Sequence, residues 1–84
     1  MKILFYRYGS ICEPDIIECF EELGHTVSQI TEEITNKNLF FGDSAKIVSQ
    51  YLLEHEQNCV FTINFFPHIS DICNIFQINI ICYR

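Results

Sequence analysis

Short apolar runs alternate along this chain with segments that mix apolar and charged residues. Residues 2–8 form a β-prone run that ends at a Gly-Ser pair, which predicts a first strand followed by a turn. Shorter β-prone runs at residues 25–30 and 79–83 predict a second and a fourth strand. Residues 59–66 are apolar almost without a break, so we expect a third strand that is parallel, central and buried on both faces.

The segments between these runs have the spacing of amphipathic helices. In the first, Pro14 suits the opening turn and Gly24 suits a left-handed C-terminal cap. The second is predicted to begin at a cap formed by Asp43 or Ser44, and the third at Pro67. The apolar positions predicted to share the buried face of the first helix are Ile16, Ile17, Phe20 and Leu23.

Strands that alternate with helices predict a parallel α/β sheet, because each right-handed crossover returns the chain in the same direction. The third run looks more buried than the second, so the predicted strand order is 2-1-3-4. We therefore expect residues 1–84 to form one Rossmann-like or flavodoxin-like three-layer domain, truncated after the fourth strand. Residues 31–42 give no clear pattern, and their Leu-Phe-Phe run must either pack or form an exposed apolar patch.

The change of direction in this strand order, between strands one and three, predicts where a ligand would bind. Ligands of such sheets lie at the carboxyl ends of the strands on either side of that point. His68 could serve there as an acid or a base, although a lone histidine at a helix start is more often a surface or capping residue. The sequence assigns no catalytic residue. The residues predicted to line the cleft are Tyr8, Gly9, Ser10, Asn64, Phe66 and His68.

Composition and charge limit the function. A chain of 84 residues with 49% hydrophobic and 19% charged residues has the make-up of one folded domain. Its formal net charge of -6 argues against a nucleic-acid or anionic membrane partner. The apolar runs are shorter than the roughly 20 residues of a membrane span. The first residues lack the pattern of a secretory signal, so we expect a cytoplasmic protein.

Cofactor and metal chemistry is not supported by the motifs. The turn after the first strand has one glycine where a dinucleotide fingerprint needs three, and the chain lacks a Walker lysine, so no cofactor is expected. The amides of Gly9 or Ser10, with Arg7 nearby, could bind one anion, but Glu13 and Asp15 oppose a second negative charge and a plain turn is favoured.

The cysteines are predicted to be structural. There are five, with no C-x-x-C pair, and most lie within apolar segments where a thiol behaves as a small hydrophobe. Cys12 follows the first strand, as some catalytic cysteines do, but its neighbours are acidic and no phosphatase-type arginine follows. Apart from the weak pair of His68 and Cys73, the histidines have no short ligand spacing to cysteines, so no metal site is expected.

Three segments resemble a known family. Residues 24–27 look like the Gly-His-x-Val segment of two-domain (GT-B) glycosyltransferases. Residues 2–10, the Glu-Leu-Gly-His run that ends at His25, and residues 61–67 resemble the N-terminal domain of the spore-maturation (CgeB-like) glycosyltransferase family. The resemblance implies an acceptor-side domain that faces a sugar acceptor, with the nucleotide-sugar donor held by a C-terminal domain of a longer parent.

Two functions stay open. The chain ends at Arg84 with nothing that corresponds to a donor-binding domain, so the resemblance implies a fragment or truncated relative that does not transfer sugar alone. The alternative is a self-contained, non-enzymatic flavodoxin-like binding or regulatory module. In the isolated chain nothing follows to cover the edge of the fourth strand, so we expect a homodimer or soluble oligomer through that edge, which contacts within a longer parent would replace.

Overall fold

The computed structural model describes residues 1–36, 39–64 and 66–82, without the side chain of Phe41. Its strands are β1 (Lys2–Tyr6), β2 (Thr26–Ile30), β3 (Cys59–Thr62) and β4 (Asn79–Cys82). Its helices are α1 (Glu13–Glu22), α2 (Glu32–Thr35), α3 (Phe41–Glu54) and α4 (Pro67–Phe76).

The four strands form one parallel sheet in the order β2-β1-β3-β4. Because the connections cross over through helices, the chain has the predicted α/β, Rossmann-like or flavodoxin-like fold. All residues of β3 are buried, which confirms that it is a central strand. The order changes direction between β1 and β3, so the loops that follow these two strands lie side by side.

Helices cover both faces of the sheet. On one face, Ile17 of α1 packs with Phe5 and Phe61 from the two central strands. On the other, α3 and α4 pack over Leu4 and Val60. Alternation of side chains along each strand produces these two faces, since successive residues point in opposite directions. The buried residues of the second face are Leu4, Tyr6, Ile30, Val48, Leu52, Val60, Ile69, Ile72 and Cys73.

Both central strands are shorter than predicted. β1 ends at Tyr6: the Arg7 N–H still donates to the carbonyl oxygen of Ile30, but the amides of Tyr8 and Gly9 turn away from the sheet to a carboxylate described below. β3 ends at Thr62, whose hydroxyl donates to the carbonyl oxygen of Asn64 at 2.6 Å and so forms a local turn. The predicted strand residues Phe65 and Tyr83 lie outside the described residues.

The predicted cap of the second helix is wrong. Helix α3 begins at Phe41 after an extended Phe40, without a side-chain cap, and Asp43 and Ser44 lie inside its first turns. The Ser44 hydroxyl contacts His68 instead of a helix amide. The unclear segment before it contains the short helix α2, and Phe40 is 77% exposed, so part of the Leu-Phe-Phe run is an exposed apolar surface.

The first helix follows its prediction except at its end. Ile17 is buried and Gly24 has the expected positive φ of 91°. Leu23, however, is 74% exposed. It is the C-cap residue, one position beyond the last helical residue, and its side chain is not part of the buried apolar face that the helical spacing had assigned to it.

The cysteines are free thiols, and most are at least partly buried. Cys59 and Cys73 are fully buried, and burial, with a smaller contribution from Cys59, raises the pKa of Cys73 to about 11. Cys19 differs from the expectation, because it is exposed on the outer side of α1. None of the helices in the described ranges is long and apolar enough to cross a membrane.

Candidate functional site

The candidate site lies where β1 and β3 end. Tyr6 and Thr62 are partners in the parallel register of these strands, so the loops that begin at residues 7 and 63 leave the sheet next to each other. The first loop leads into α1 and the second into α4. This is the topological switch point at which the sequence predicted a cleft.

Glu13 organises the first loop. It is the first residue of α1, and its carboxylate is fully buried. Oε2 accepts the backbone N–H of Tyr8 at 3.0 Å, and Oε1 accepts the backbone N–H of Gly9 at 3.1 Å. The guanidinium Nε of Arg7 donates to Oε1 at 3.2 Å, which makes the buried charge part of an ion pair. Gly9 has a φ of 101°, which lets its N–H point toward the carboxylate.

These contacts decide what the loop can bind. In a phosphate-binding turn, backbone amides and a nearby cation are directed at the ligand. Here the amides of Tyr8 and Gly9 and the Arg7 side chain are directed at the carboxylate of Glu13. The chain therefore supplies its own anion at this position, and a phosphate would have to displace a buried side chain.

Three aromatic rings lie beside this loop and form what we call the aromatic ledge, namely Tyr8, Phe66 and His68. Phe66 is central, with its ring centroid 6.0 Å from that of Tyr8 and 5.9 Å from that of His68. Both contacts are edge-to-face, the favourable arrangement for aromatic pairs. All three side chains are half-buried. The ledge thus combines apolar ring surface with one hydroxyl and one imidazole.

A chain of polar side chains lies beneath the ledge, and we call it the buried polar chain. The Tyr6 hydroxyl donates to Oε1 of Glu33 at 2.7 Å. Ser44 Oγ lies 2.6 Å from Nε2 of His68, and the interaction of Ser44 with Tyr6 partly offsets the rise in the pKa of the Tyr6 hydroxyl. The four residues come from α2, β1, α3 and α4, so the chain joins the connection after β2 to the ledge.

Burial shifts the pKa values of two residues of the buried polar chain. Burial raises the pKa of the Tyr6 hydroxyl, and its hydrogen bond to Glu33 adds to the shift. Burial lowers the pKa of His68, against the opposing charges of Glu33 and Asp71. Both shifts favour the uncharged form, so at neutral pH the Tyr6 phenol and the His68 imidazole are neutral.

The other predicted cleft residues have local contacts. Gly9 is exposed, and its N–H is directed at Glu13. Ser10 is half-buried, and its Oγ lies 3.2 Å from the sulfur of Cys12 within the same loop. Asn64 is exposed, and its backbone carbonyl rather than its side chain accepts the hydrogen bond from Thr62. Of the six predicted residues, the structure brings Tyr8, Phe66 and His68 together through ring contacts.

Sequence reasoning missed four residues of this region. Glu13 was interpreted only as a charge near the start of a helix that opposes a bound anion, and Ser44 as one of two possible caps, while Tyr6 and Glu33 were not singled out. A tyrosine inside a buried strand does carry a signal, since its hydroxyl needs a partner when buried. The identity of that partner, 27 residues away in a segment without pattern, has no sequence signal.

No cluster of residues suited to hold a metal ion, and no pocket, is found among residues 1–36, 39–64 and 66–82. Comparison of the chain with protein-family models, with curated proteins and with solved structures finds no match.

Proposed function

We propose that this chain is an acceptor-side domain of a glycosyltransferase and that the aromatic ledge contacts a sugar acceptor. The observation that carries the proposal is the contrast between the ledge and the loop beside it. The ledge presents half-buried rings at the switch point of a parallel sheet. The loop has its phosphate-type donors directed at Glu13.

The chemistry of the ledge suits a neutral, hydroxyl-rich ligand. A sugar ring has apolar C–H faces and polar edges, and Tyr and His side chains likewise combine an apolar body with a polar tip. Phe66 supplies ring surface between the two polar tips of Tyr8 and His68. The formal net charge of -6 disfavours an anionic ligand at the same surface.

The contacts of the loop support a proposal in which another domain binds the nucleotide-sugar donor. A nucleotide-sugar donor carries a diphosphate, and transfer requires that this leaving group be held. With Glu13 buried against the loop amides, the donor in this proposal is bound by a C-terminal domain of a longer parent, and the chain alone does not catalyse transfer.

A titration of the isotope-labelled chain followed by NMR tests the ligand class. We expect methyl glycosides to shift the backbone signals of Tyr8, Phe66 and His68, and uridine diphosphate to leave them and the Gly9 signal unchanged. Phe66→Ala should abolish the response. Ile75→Ala is the matched control, because Ile75 lies on the same helix but is 78% exposed. Binding of the diphosphate at the loop, or no response to any glycoside, would contradict the proposal.

The parent protein can be tested directly at the gene. A reading frame that continues past the codon for Arg84 for several hundred residues supports the transferase. A stop codon at that position supports the alternative, a non-enzymatic flavodoxin-like binding module that uses the same ledge. The two outcomes separate the functions without any assay of transfer.

We also propose a homodimer joined through β4. Among the described strands β4 pairs only with β3, which leaves one row of backbone groups at the sheet edge. Ile81 lies in register with Phe61 and is 48% exposed, whereas Phe61 is covered. A second copy that pairs with this edge would cover the Ile81 side chain and would also form hydrogen bonds with the backbone groups of the edge.

Light scattering over a range of concentrations tests the dimer. We expect the wild-type mass to rise to twice the monomer mass and Ile81→Glu to remain monomeric. Ile75→Glu places the same charge on an exposed isoleucine of α4 and should dimerise like the wild type. A wild-type monomer at high concentration would refute the interface.

A cytoplasmic location is a further proposal, supported by the five free thiols, which are typical of reducing compartments.

A further inference from the structure

The Tyr6 hydroxyl adjoins the aromatic ledge but is bound to the short helix α2. Tyr6 is the last residue of β1, and its ring centroid lies 5.3 Å from that of Phe66 in the ledge. Its hydroxyl donates to Oε1 of Glu33 at 2.7 Å, and the residue is 0% exposed. A polar group at the switch point of the sheet is therefore closed to solvent and holds a side chain of the same protein.

Helix α2 has little else that would hold it in place by packing. It consists of four residues, none of them buried, and its N-cap residue Thr31 makes no side-chain cap. So short a helix is not stable by itself, because forming the first turn is unfavourable. Segments with few buried apolar contacts are also those that open locally. A hydrogen bond from the sheet to Glu33 is thus well placed to control whether α2 stays closed.

The Glu33 carboxylate faces a second group of the site. It is near enough to His68 for its charge to raise the pKa of that imidazole, against the larger effect of burial. Glu33 itself is half-buried. One side chain of α2 therefore stands between the solvent and two polar groups beside the Phe66 ring.

We propose that Tyr6 is a ligand-binding residue of the ledge and that Glu33 holds α2 over it as a lid. In the ligand-free chain the carboxylate accepts the Tyr6 hydroxyl. In the bound chain a hydroxyl oxygen of the ligand accepts it instead, and α2 moves away with Glu33.

This exchange has a small energetic cost. The donor bond of Tyr6 is replaced and not lost, and the released carboxylate enters water, where a charge is well solvated. The same movement exposes the Phe66 ring and the Tyr6 hydroxyl together, which suits a ligand with an apolar face and hydroxyl groups. The sugar as ligand rests on the proposed function, whereas the role of Glu33 in holding α2 does not.

Backbone relaxation of the ligand-free, nitrogen-15-labelled chain tests the lid. We expect the order parameters of α2 to fall from about 0.85 in the wild type to below about 0.6 in Glu33→Ala, while those of β3 stay unchanged. Glu33→Ala leaves every core side chain in place. Glu32→Ala is the matched control, because Glu32 is an exposed glutamate of the same helix. Glu33→Gln keeps an acceptor oxygen and should restore the rigidity.

Titration with methyl glycosides tests the role of Tyr6. Glu33→Ala no longer competes for the hydroxyl and should bind about tenfold more tightly than the wild type. Tyr6→Phe frees α2 in the same way but lacks the hydroxyl, so it should not gain this affinity.

Three results would overturn the proposal. These are equal order parameters of α2 in Glu33→Ala and Glu32→Ala, equal affinity of Glu33→Ala and the wild type for a glycoside that binds, and equal affinity of Tyr6→Phe and Glu33→Ala. If the order parameters fall as expected and no variant binds a glycoside, the proposed function fails and the role of Glu33 stands.

Discussion

Two buried polar clusters lie at the same edge of the sheet and are built in opposite ways. Glu13 joins groups that are at most six residues away in the chain, and it is held by two backbone amides and a guanidinium. The buried polar chain contains the contact of Tyr6 with Glu33 and that of Ser44 with His68, across sequence separations of 27 and 24 residues, and its links are hydroxyl groups.

The difference separates a cluster that fixes one loop conformation from a cluster whose hydrogen bonds can change direction. The Glu13 cluster combines a charge with fixed backbone donors, so it stabilises one loop conformation and has no alternative pattern. A hydroxyl can both donate and accept, so the bond between Ser44 and His68 can reverse its direction when the protonation of the imidazole changes. We therefore expect changes at Glu13 to affect mainly stability, and changes in the buried polar chain to affect both stability and the state of His68.

The largest effect is expected for Glu13→Ala. Removing the carboxylate leaves the amides of Tyr8 and Gly9 and the Arg7 guanidinium without their acceptor, which should cost about 3 kcal/mol of the free energy of unfolding. Urea denaturation followed by circular dichroism measures it. Asp15→Ala removes an exposed carboxylate from the same helical turn and should change stability by less than about 0.5 kcal/mol.

Should Glu13→Ala prove too unstable to measure, Glu13→Gln keeps one acceptor oxygen and should lose less stability. Equal stability of Glu13→Gln and the wild type would show that the charge is not needed. It would contradict the view that the Glu13 cluster stabilises the loop through a buried charge.

A smaller loss is expected for Tyr6→Phe. The ring and its contact with Phe66 at 5.3 Å remain, but Glu33 loses the hydroxyl that donates to it, which should cost about 1 to 2 kcal/mol. The same denaturation assay applies, with Tyr51→Phe as the control for loss of a hydroxyl from a half-buried tyrosine. Identical losses in both variants would indicate that the buried polar chain adds nothing specific to stability.

A pH effect of intermediate size should come from His68. Because burial lowers its pKa in the folded state, the folded chain binds fewer protons than the unfolded chain. The contribution of His68 to the free energy of unfolding should therefore be constant above the ordinary histidine pKa of about 6.5 and fall as the pH decreases below it. His68→Asn should flatten this decline, whereas the exposed His55→Gln should preserve it. A decline that persists unchanged in His68→Asn would assign it to other groups.

The smallest effect is expected for Ser10→Ala. Its hydroxyl contacts the thiol of Cys12, a weak hydrogen-bonding group, so the loss should stay within about 0.5 kcal/mol. A loss comparable to that of Glu13→Ala would mean that the loop is stabilised by its turn residues and not by the buried carboxylate. Thermal unfolding of both variants side by side measures the difference.

The fold could be predicted from this sequence to a large extent because its signals are local and repeated. The continuous apolar run at β3, the positive φ at Gly24 and the helix that begins at Pro67 are each dictated by a few neighbouring residues. Strand order followed from the relative burial of two strands. Strand and helix ends were less predictable. The turn at Thr62, the extended conformation of Phe40 and the exposure of Leu23 do not follow from the spacing of apolar residues.

The sequence by itself determined a parallel α/β sheet and placed Tyr8, Phe66 and His68 in the two loops at its switch point, because alternation and helical spacing are properties of adjacent residues. Only the tertiary structure decided how the polar groups there are used. The carboxylate of Glu13 accepts hydrogen bonds from its own loop. The carboxylate of Glu33, in a segment whose sequence has no clear pattern, accepts the hydroxyl of Tyr6. A buried hydrogen-bonding group takes whichever partner the packing of distant elements brings within about 3 Å, and that choice is not encoded in the spacing of residues along the chain.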